Sequence, residues 1–87
     1  MKVEFTSSFI KIYKKRFFHL SSIREQFEER TRLFEKNPYN PILHDHALKG
    51  NKIGLRAFSI TGDIRVVYYI HEEIAYFDDI GSHNQIY

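Results

Sequence analysis

Residues 55–70 read LRAFSITGDIRVVYYI, two short apolar runs separated by a turn signal. The first run, LRAFSI at 55–60, and the second, IRVVYYI at 64–70, are rich in β-branched and aromatic residues, which favour strands. Between them, Thr61 to Asp63 supplies the residue types that turns select. The stretch therefore predicts a β-hairpin, and the second strand suits the centre of a sheet.

Strand and helix patterns extend outward on both sides of this hairpin. EIAYFDDI at 73–80 predicts a third strand, and VEFT at 3–6 predicts a short strand near the N-terminus. Apolar residues recur at helical spacing from Ser8 to about Leu20 and from Ser22 to about Lys36. The predicted order is β-α-α-β-β-β, an α+β fold in which an N-terminal helical hairpin packs on an antiparallel sheet.

The ends of the helices and the connection that follows carry local signals. Ser22 and Glu25 have the spacing of a capping box, so Ser22 is the expected N-cap of the second helix. NPYNP at 37–41 ends that helix, because proline does not continue a helix. Residues 41–54, PILHDHALKGNKIG, predict an irregular connection to the sheet.

Composition and motif content limit the class of protein. With 87 residues, 43% of them hydrophobic, the chain has enough apolar surface for one folded domain over residues 1–87. It has no cysteine, which excludes disulfides and thiolate zinc sites and favours the cytoplasm. No stretch approaches the roughly 20 apolar residues that span a bilayer, so no membrane association is expected. The lack of a glycine-rich phosphate loop, a nucleophile elbow or paired carboxylates disfavours nucleotide hydrolases, esterases and glycosidases.

Charge is unevenly distributed along the chain. Residues 1–43 carry nine Lys/Arg and five Asp/Glu, whereas residues 44–87 carry four and six. A basic N-terminal half permits contact with nucleic acid or with an acidic partner. A solvated helix face explains the same charges without any partner.

Histidines are the first candidates for chemistry. His44 and His46 are two residues apart and would share a face of an extended segment. A metal site would need third and fourth ligands, so we predict no metal and no cofactor, with His46 as a proton-transfer residue. The tail GSHNQIY, residues 81–87, adds His83, which can transfer a proton, and Tyr87, which can stack on a base. The alternative for the tail is a frayed chain end.

Basic residues of the second half are candidates for binding phosphate. Arg56 and Arg65 flank the hairpin turn on adjacent strands, and we expect both to point at one surface. Lys49 and Lys52 precede them in the connection. Asp63 either is an ordinary turn residue or orients a histidine or an arginine. For the arginines, ordinary exposure on the open face of a sheet is the alternative.

Three short motifs give the chain a family resemblance. They are the H-x-L-x-G step at 46–50, the R-V-V-Y strand at 65–68 and the closing G-S-H-x-x-I-Y at 81–87. In this order they resemble the RelE/ParE superfamily of bacterial type II toxins, specifically its YafQ-like branch. The resemblance implies the RelE-like fold of microbial ribonucleases. It also implies a toxin that cuts mRNA in the ribosomal A site and forms a hetero-oligomer with a cognate antitoxin.

The resemblance assigns roles to individual residues. It implies catalytic roles for His46, Asp63, Arg65, His83 and Tyr87. The residues expected to bind the substrate are Lys49, Lys52, Arg56 and Gln85. Ser59 stands where YafQ-like toxins often carry another histidine, which removes one possible proton-transfer group.

The function expected from these features is a metal-independent endoribonuclease. One histidine takes the proton of an RNA 2′-hydroxyl, the other protonates the leaving oxygen, and Arg65 stabilises the phosphate. The expected partners are mRNA, the ribosome with its rRNA, and an antitoxin. Two alternatives remain: a ParE-like toxin that poisons DNA gyrase, and a non-catalytic remnant that only binds an antitoxin or nucleic acid.

Overall fold

The computed structural model describes residues 1–86, and its element order extends the predicted one. The strands are β1 (Lys2–Phe5), β2 (His46–Ala47), β3 (Arg56–Ser59), β4 (Arg65–His71) and β5 (Ile74–Gly81). The helices are α1 (Ser7–Arg16), α2 (Ser21–Lys36) and α3 (His83–Ile86), with 3₁₀ turns at Pro41–Leu43 and Gly50–Lys52. The predicted order is therefore confirmed, and β2 and α3 are two short elements that the sequence pattern did not indicate.

All five strands form one sheet in the order β1-β5-β4-β3-β2. β3, β4 and β5 form the predicted antiparallel meander, and β2 joins its edge antiparallel to β3. β1 instead pairs parallel with β5, Val3 lying opposite Ala75, so the sheet is mixed rather than wholly antiparallel as predicted. A parallel pair needs a long crossover, and the helical hairpin is part of the chain that provides it.

α1 ends, and α2 begins, at residues other than those predicted. The Thr6 side chain caps α1 by accepting a hydrogen bond from the backbone N–H of Phe9 at 3.1 Å. α1 ends at Arg16 rather than near Leu20. Leu20 occupies the N-cap position of α2, so the capping box expected at Ser22 is wrong. Within residues 1–86, no helix is long and apolar enough to cross a membrane.

α1 and α2 bury an aromatic core against one face of the sheet. Phe34 of α2 stacks on Phe58 of β3 with ring centroids 4.8 Å apart, and Phe9 of α1 meets Phe77 of β5 edge-on at 5.9 Å. These four rings are at most 1% exposed. Full burial of such a side chain contributes roughly 1.5–3 kcal/mol to stability. This aromatic core holds the sheet rigid from one side. The candidate residues lie on the other face of the sheet.

A smaller apolar cluster covers part of that other face. Ala57 of β3 and Val67 of β4 pack there against Leu48, from the connection after β2, and Ile86 of α3. All four side chains are at most 6% exposed. Burial of Leu48 and Ile86 therefore fixes both the connection before β3 and the C-terminal segment on this face.

Candidate functional site

Ser59 and Arg65 form a polar pair on the face of the sheet opposite α1 and α2. They are direct partners in the β3–β4 ladder, so their side chains project from the same face. Nε of Arg65 is buried and has no hydrogen-bond partner among residues 1–86. A buried donor without an acceptor costs stability. Arg65 is thus a cation whose Nε is paired with no described acceptor.

Two cavities meet at His46 and Arg65, which line both. The first has a volume of about 560 Å³, and its other lining residues are Arg30, Ile42, His44, Ser59, Thr61 and Gly62. The second has a volume of about 400 Å³, and its other lining residues are Ala47, Leu48, Lys49 and His83. His46 and Arg65 therefore form the boundary between the cavity lined by Arg30 and the cavity lined by His83.

His46 is held at this boundary by backbone contacts. It lies opposite Ala57 in the β2–β3 ladder, so its side chain projects from the same face as Arg65. Its Nδ1 lies 3.0 Å from the carbonyl oxygen of His44. Because a carbonyl only accepts, this contact is a hydrogen bond when Nδ1 carries the proton, and Nε2 is then the basic nitrogen of the neutral ring.

His44 has an unusual backbone conformation beside this contact. Its φ is 50°, in the left-handed region that residues other than glycine rarely adopt. Such conformations occur more often at functional sites, where the surrounding structure maintains them. Here the conformation ends the 3₁₀ turn Pro41–Leu43 and turns the chain into β2.

Asp45, between the two histidines, is anchored on the helix-facing side of the sheet. Its side chain is 2% exposed, and Oδ1 accepts a hydrogen bond from Nε of Arg56 at 2.9 Å. Oδ2 accepts a hydrogen bond from the hydroxyl of Tyr68. Burial, and then this bond to Asp45, raise the pKa of Tyr68 far above its usual value, so the phenol stays protonated. Asp45 thereby ties the segment 44–46 to the sheet.

The ladder register overturns one expectation about the arginines. Arg56 pairs with Tyr68, whose side chain belongs to the helix-facing core, whereas Arg65 pairs with Ser59 on the opposite face. Successive residues of a strand alternate between faces, and an odd number of steps separates Arg56 from Ser59. The prediction that Arg56 and Arg65 point at one surface is therefore wrong.

The C-terminal segment returns to the sheet and brings His83 to the second cavity. The backbone N–H of Ser82 donates a hydrogen bond to Oε1 of Gln85 at 2.8 Å, which closes the turn into α3. Gly81 leaves room for this turn, since a Cβ there would lie 2.9 Å from Oε1 of Gln85. Gln85, predicted to bind the substrate, thus has a structural hydrogen bond within the segment.

Comparison with known families identifies the chain. The profile described as a bacterial toxin of type II toxin-antitoxin systems, YafQ, matches residues 1–87. The chain belongs to the YafQ toxin family. Comparison with curated proteins finds no match.

Solved toxin structures share the fold of this YafQ-family chain. A copper-bound mutant toxin from Helicobacter pylori is 28% identical, with a TM-score of 0.75, over 100% of this chain and 99% of that one. A YoeB/ParE toxin from Agrobacterium tumefaciens is 21% identical, with a TM-score of 0.78, over 95% of this chain and 99% of that one. A chain of the E. coli DinJ-YafQ complex is 19% identical, with a TM-score of 0.71, over 99% of this chain and 97% of that one. The predicted RelE-like fold and the resemblance to YafQ-like toxins are confirmed.

Two of the remaining predicted site residues of this YafQ-family toxin lie apart from the two cavities. Asp63 is exposed in the hairpin turn, where its backbone N–H donates to Oγ1 of Thr61 at 3.2 Å, and its side chain lines neither cavity. Lys49 lines the second cavity, whereas Lys52 lines neither. Tyr87 lies outside the described residues. Within the described range, no three His, Asp or Glu side chains group as ligands for one metal ion.

Sequence reasoning missed Arg30 of α2, which reaches the first cavity of the YafQ-family toxin. Its Nη1 donates hydrogen bonds to the carbonyl oxygens of Ile42 at 3.0 Å and of Ser59 at 3.4 Å. These contacts depend on how α2 crosses the end of β3. No spacing along the sequence indicates that crossing.

Proposed function

We propose that this YafQ-family toxin is an endoribonuclease that cleaves mRNA in the ribosomal A site. The observation that carries the proposal is the shared boundary of the two cavities, where His46 and Arg65 line both and His83 lines the second. Two imidazoles beside one arginine supply a base, an acid and an anion-stabilising cation. RNA cleavage by an internal nucleophile needs these three groups.

The proposed reaction uses the nucleophile that RNA itself carries. One histidine removes the proton of a 2′-hydroxyl, whose oxygen attacks the adjacent phosphorus and forms a 2′,3′-cyclic phosphate. The bond to the 5′-oxygen breaks, and this oxygen takes a proton from the other histidine and leaves as a 5′-hydroxyl. Each proton-transfer group contributes about 10²–10⁴-fold to the rate. Protein side chains perform both transfers, so the proposed reaction is metal-independent.

The contact of His46 with the backbone supports assigning it as the base. With Nδ1–H donated to the carbonyl oxygen of His44, Nε2 of the neutral ring is the nitrogen that accepts a proton. His83 is then the acid that protonates the leaving oxygen. Arg65 stabilises the charge that develops on the phosphoryl oxygens, because it lines both cavities where the phosphate would bind.

Other side chains have supporting roles in the proposal. Tyr87 stacks on a base or positions the 2′-hydroxyl, and Lys49 contacts the RNA backbone from the second cavity. Asp63 orients a histidine when the substrate is bound. Arg56 acts indirectly, because its ion pair holds Asp45 and so the segment that carries His46.

A cognate antitoxin belongs to the same proposal. The E. coli relative has been solved as a DinJ-YafQ complex, and the family is defined by type II toxin-antitoxin systems. Lys11, Lys14 and Lys15 are exposed on α1 and offer a basic surface to an acidic antitoxin segment or to rRNA. Because the proposed substrate is mRNA on translating ribosomes, the proposed site of action is the cytoplasm.

Controlled expression of the chain tests this function. The wild type should arrest growth and create new, codon-phased 5′ ends in cellular mRNA, measured by primer extension. His83→Ala should create none while remaining folded, and His19→Ala, at an exposed histidine after α1, should cleave like the wild type. Growth arrest with intact mRNA and damaged DNA would contradict the proposal in favour of a gyrase poison. Absence of arrest would contradict it in favour of a non-catalytic binder.

A further inference from the structure

The first cavity contains more basic side chains than cleavage of one phosphate requires. The proposed chemistry uses His46 and Arg65, which line both cavities, whereas Arg30 and His44 line the first cavity alone. Among the residues that line this cavity in the described chain, none is Asp or Glu. The cavity is therefore suited to an anion in addition to the scissile phosphate.

Arg30 is positioned by the backbone and not by a carboxylate. Its Nη1 donates to the carbonyl oxygens of Ile42 and Ser59, which hold the guanidinium between the 3₁₀ turn and the end of β3. Over residues 1–86, its hydrogen bonds come from Nη1 alone and no carboxylate forms an ion pair with it. A guanidinium has five N–H donors. Most of the donors of Arg30 thus remain for a ligand.

The size and place of the cavity fit a nucleotide. Its volume of about 560 Å³ lies within the roughly 300–1,000 Å³ of small-ligand sites. Because both cavities share His46 and Arg65, a phosphodiester bound at that boundary directs one neighbouring nucleotide into each. The second cavity offers the apolar side chains of Ala47 and Leu48, whereas the first offers Arg30.

We infer that the first cavity is a subsite for the nucleotide next to the scissile phosphate, in which Arg30 binds the outer phosphate of that nucleotide and His44 also contacts that nucleotide. The inference rests on the proposed ribonuclease function and extends it. The toxin holds two consecutive phosphates, Arg65 the reacting one and Arg30 the next. A planar guanidinium suits this task, because it binds phosphate oxygens through two parallel hydrogen bonds.

Binding of RNA that cannot be cleaved tests the subsite without catalysis. The probes are dinucleotides with a 2′-O-methyl group at the nucleophile that carry a 5′-terminal phosphate, a 3′-terminal phosphate or neither. The wild type should bind one phosphorylated form about tenfold more tightly than the unphosphorylated one. Arg30→Gln should lose this preference, and Arg32→Gln, at an exposed arginine of the same helix, should retain it.

Arg30 also donates hydrogen bonds to two backbone carbonyl groups, so replacing it affects folding as well as binding. A second variant separates the two effects. His44→Asn suits the left-handed backbone at this position and leaves Arg30 in place, so it should remain as stable as the wild type and weaken binding of the same probe several-fold. Thermal unfolding is measured for each variant. On longer modified RNA, Arg30→Gln should lower the slope of log K against log salt by about 0.7, the effect of one lost phosphate contact.

The two proposals fail in different ways. If the wild type cleaves mRNA but shows no preference for a terminal phosphate, or if Arg30→Gln keeps that preference, the subsite is wrong and the ribonuclease stands. Intact mRNA with the wild-type toxin would instead remove the ribonuclease on which the subsite depends.

Discussion

Oδ1 of Asp45 lies 2.9 Å from Nε of Arg56, and this contact ties the segment that carries His46 to the sheet. The carboxylate is on the side of Arg56 and Tyr68, whereas its neighbour His46 projects with Ala57 toward the cavities. One buried anion thus fixes a candidate catalytic residue from the opposite face. The stability of the fold and the geometry of the site are coupled at Asp45.

Replacing Asp45 should therefore affect both stability and cleavage. Asp45→Ala leaves Arg56 and the Tyr68 hydroxyl without their acceptor, and the unfolding free energy should fall by roughly 1–3 kcal/mol. Cleavage of mRNA should fall as well, because His46 loses its support. Urea denaturation measures the first effect. The control Glu29→Ala, at an exposed residue of α2, should change the unfolding free energy by less than about 0.5 kcal/mol. Equal stabilities of Asp45→Ala and Glu29→Ala would contradict the stabilising role of Asp45.

Alkaline pH should destabilise the wild type through Tyr68. Burial, and then the hydrogen bond to Asp45, raise the pKa of Tyr68 far above its unfolded value of about 10. The stability from this shift is fully present below the unfolded pKa and is lost as pH rises toward the folded one, because only the unfolded chain releases the phenolic proton.

The pH dependence of Tyr68→Phe tests this coupling. Its unfolding free energy should change less than that of the wild type between about pH 9.5 and 11.5. Tyr39→Phe, at a ring that is 73% exposed, should keep the wild-type dependence. A wild-type dependence in Tyr68→Phe would show that this phenol is not buried and hydrogen-bonded as described.

Gly81→Ala should displace α3. A Cβ at Gly81 would lie 2.9 Å from Oε1 of Gln85, closer than such atoms approach, and 3.0 Å from Cβ of Gln85, tighter than most such contacts. The segment with His83 must shift, so mRNA cleavage should fall, and the amide resonance of His83 should move in an NMR spectrum. Gly62→Ala, where a Cβ meets nothing within 4 Å, should leave that resonance in place. An unshifted His83 in Gly81→Ala would contradict the described packing of α3.

Arg65→Met should separate stability from activity. The buried Nε of Arg65 has no hydrogen-bond partner in residues 1–86, so an apolar side chain of similar length should raise the unfolding free energy by about 1 kcal/mol. Cleavage should fall by about 10² or more, because the cation for the phosphate is lost. Arg16→Met, at an exposed arginine, is the matched control for stability. An Arg65→Met variant with a lower unfolding free energy than the wild type would contradict this prediction and show that Arg65 stabilises the fold.

Residue types predicted the parts of the fold that depend on local pattern. The β-branched runs on either side of Thr61 to Asp63 indicated the β3–β4 hairpin, and helical spacing indicated both long helices. Strand β2 has two residues and α3 has four, which is too short for periodicity to indicate. The parallel pairing of β1 depends on the path of the whole chain.

The candidate site residues also divide into those that local sequence motifs indicate and those that depend on the packing of the whole fold. His46, Arg65 and His83 lie in recognisable motifs, and the structure brings all three to the second cavity. The face of Arg56 depended on ladder register, which a shift of one residue reverses. Arg30 reaches the site only through the packing of α2 against β3, for which the sequence holds no local signal.

The central claim, that His46 and His83 act as base and acid, is tested most directly by the pH dependence of single-turnover mRNA cleavage on ribosomes. The wild type should give a bell-shaped profile. His46→Ala should lose the acidic limb and His83→Ala the alkaline limb, each with a rate reduced by about 10²–10⁴. A variant that keeps the wild-type rate and both limbs would contradict the assignment of that histidine.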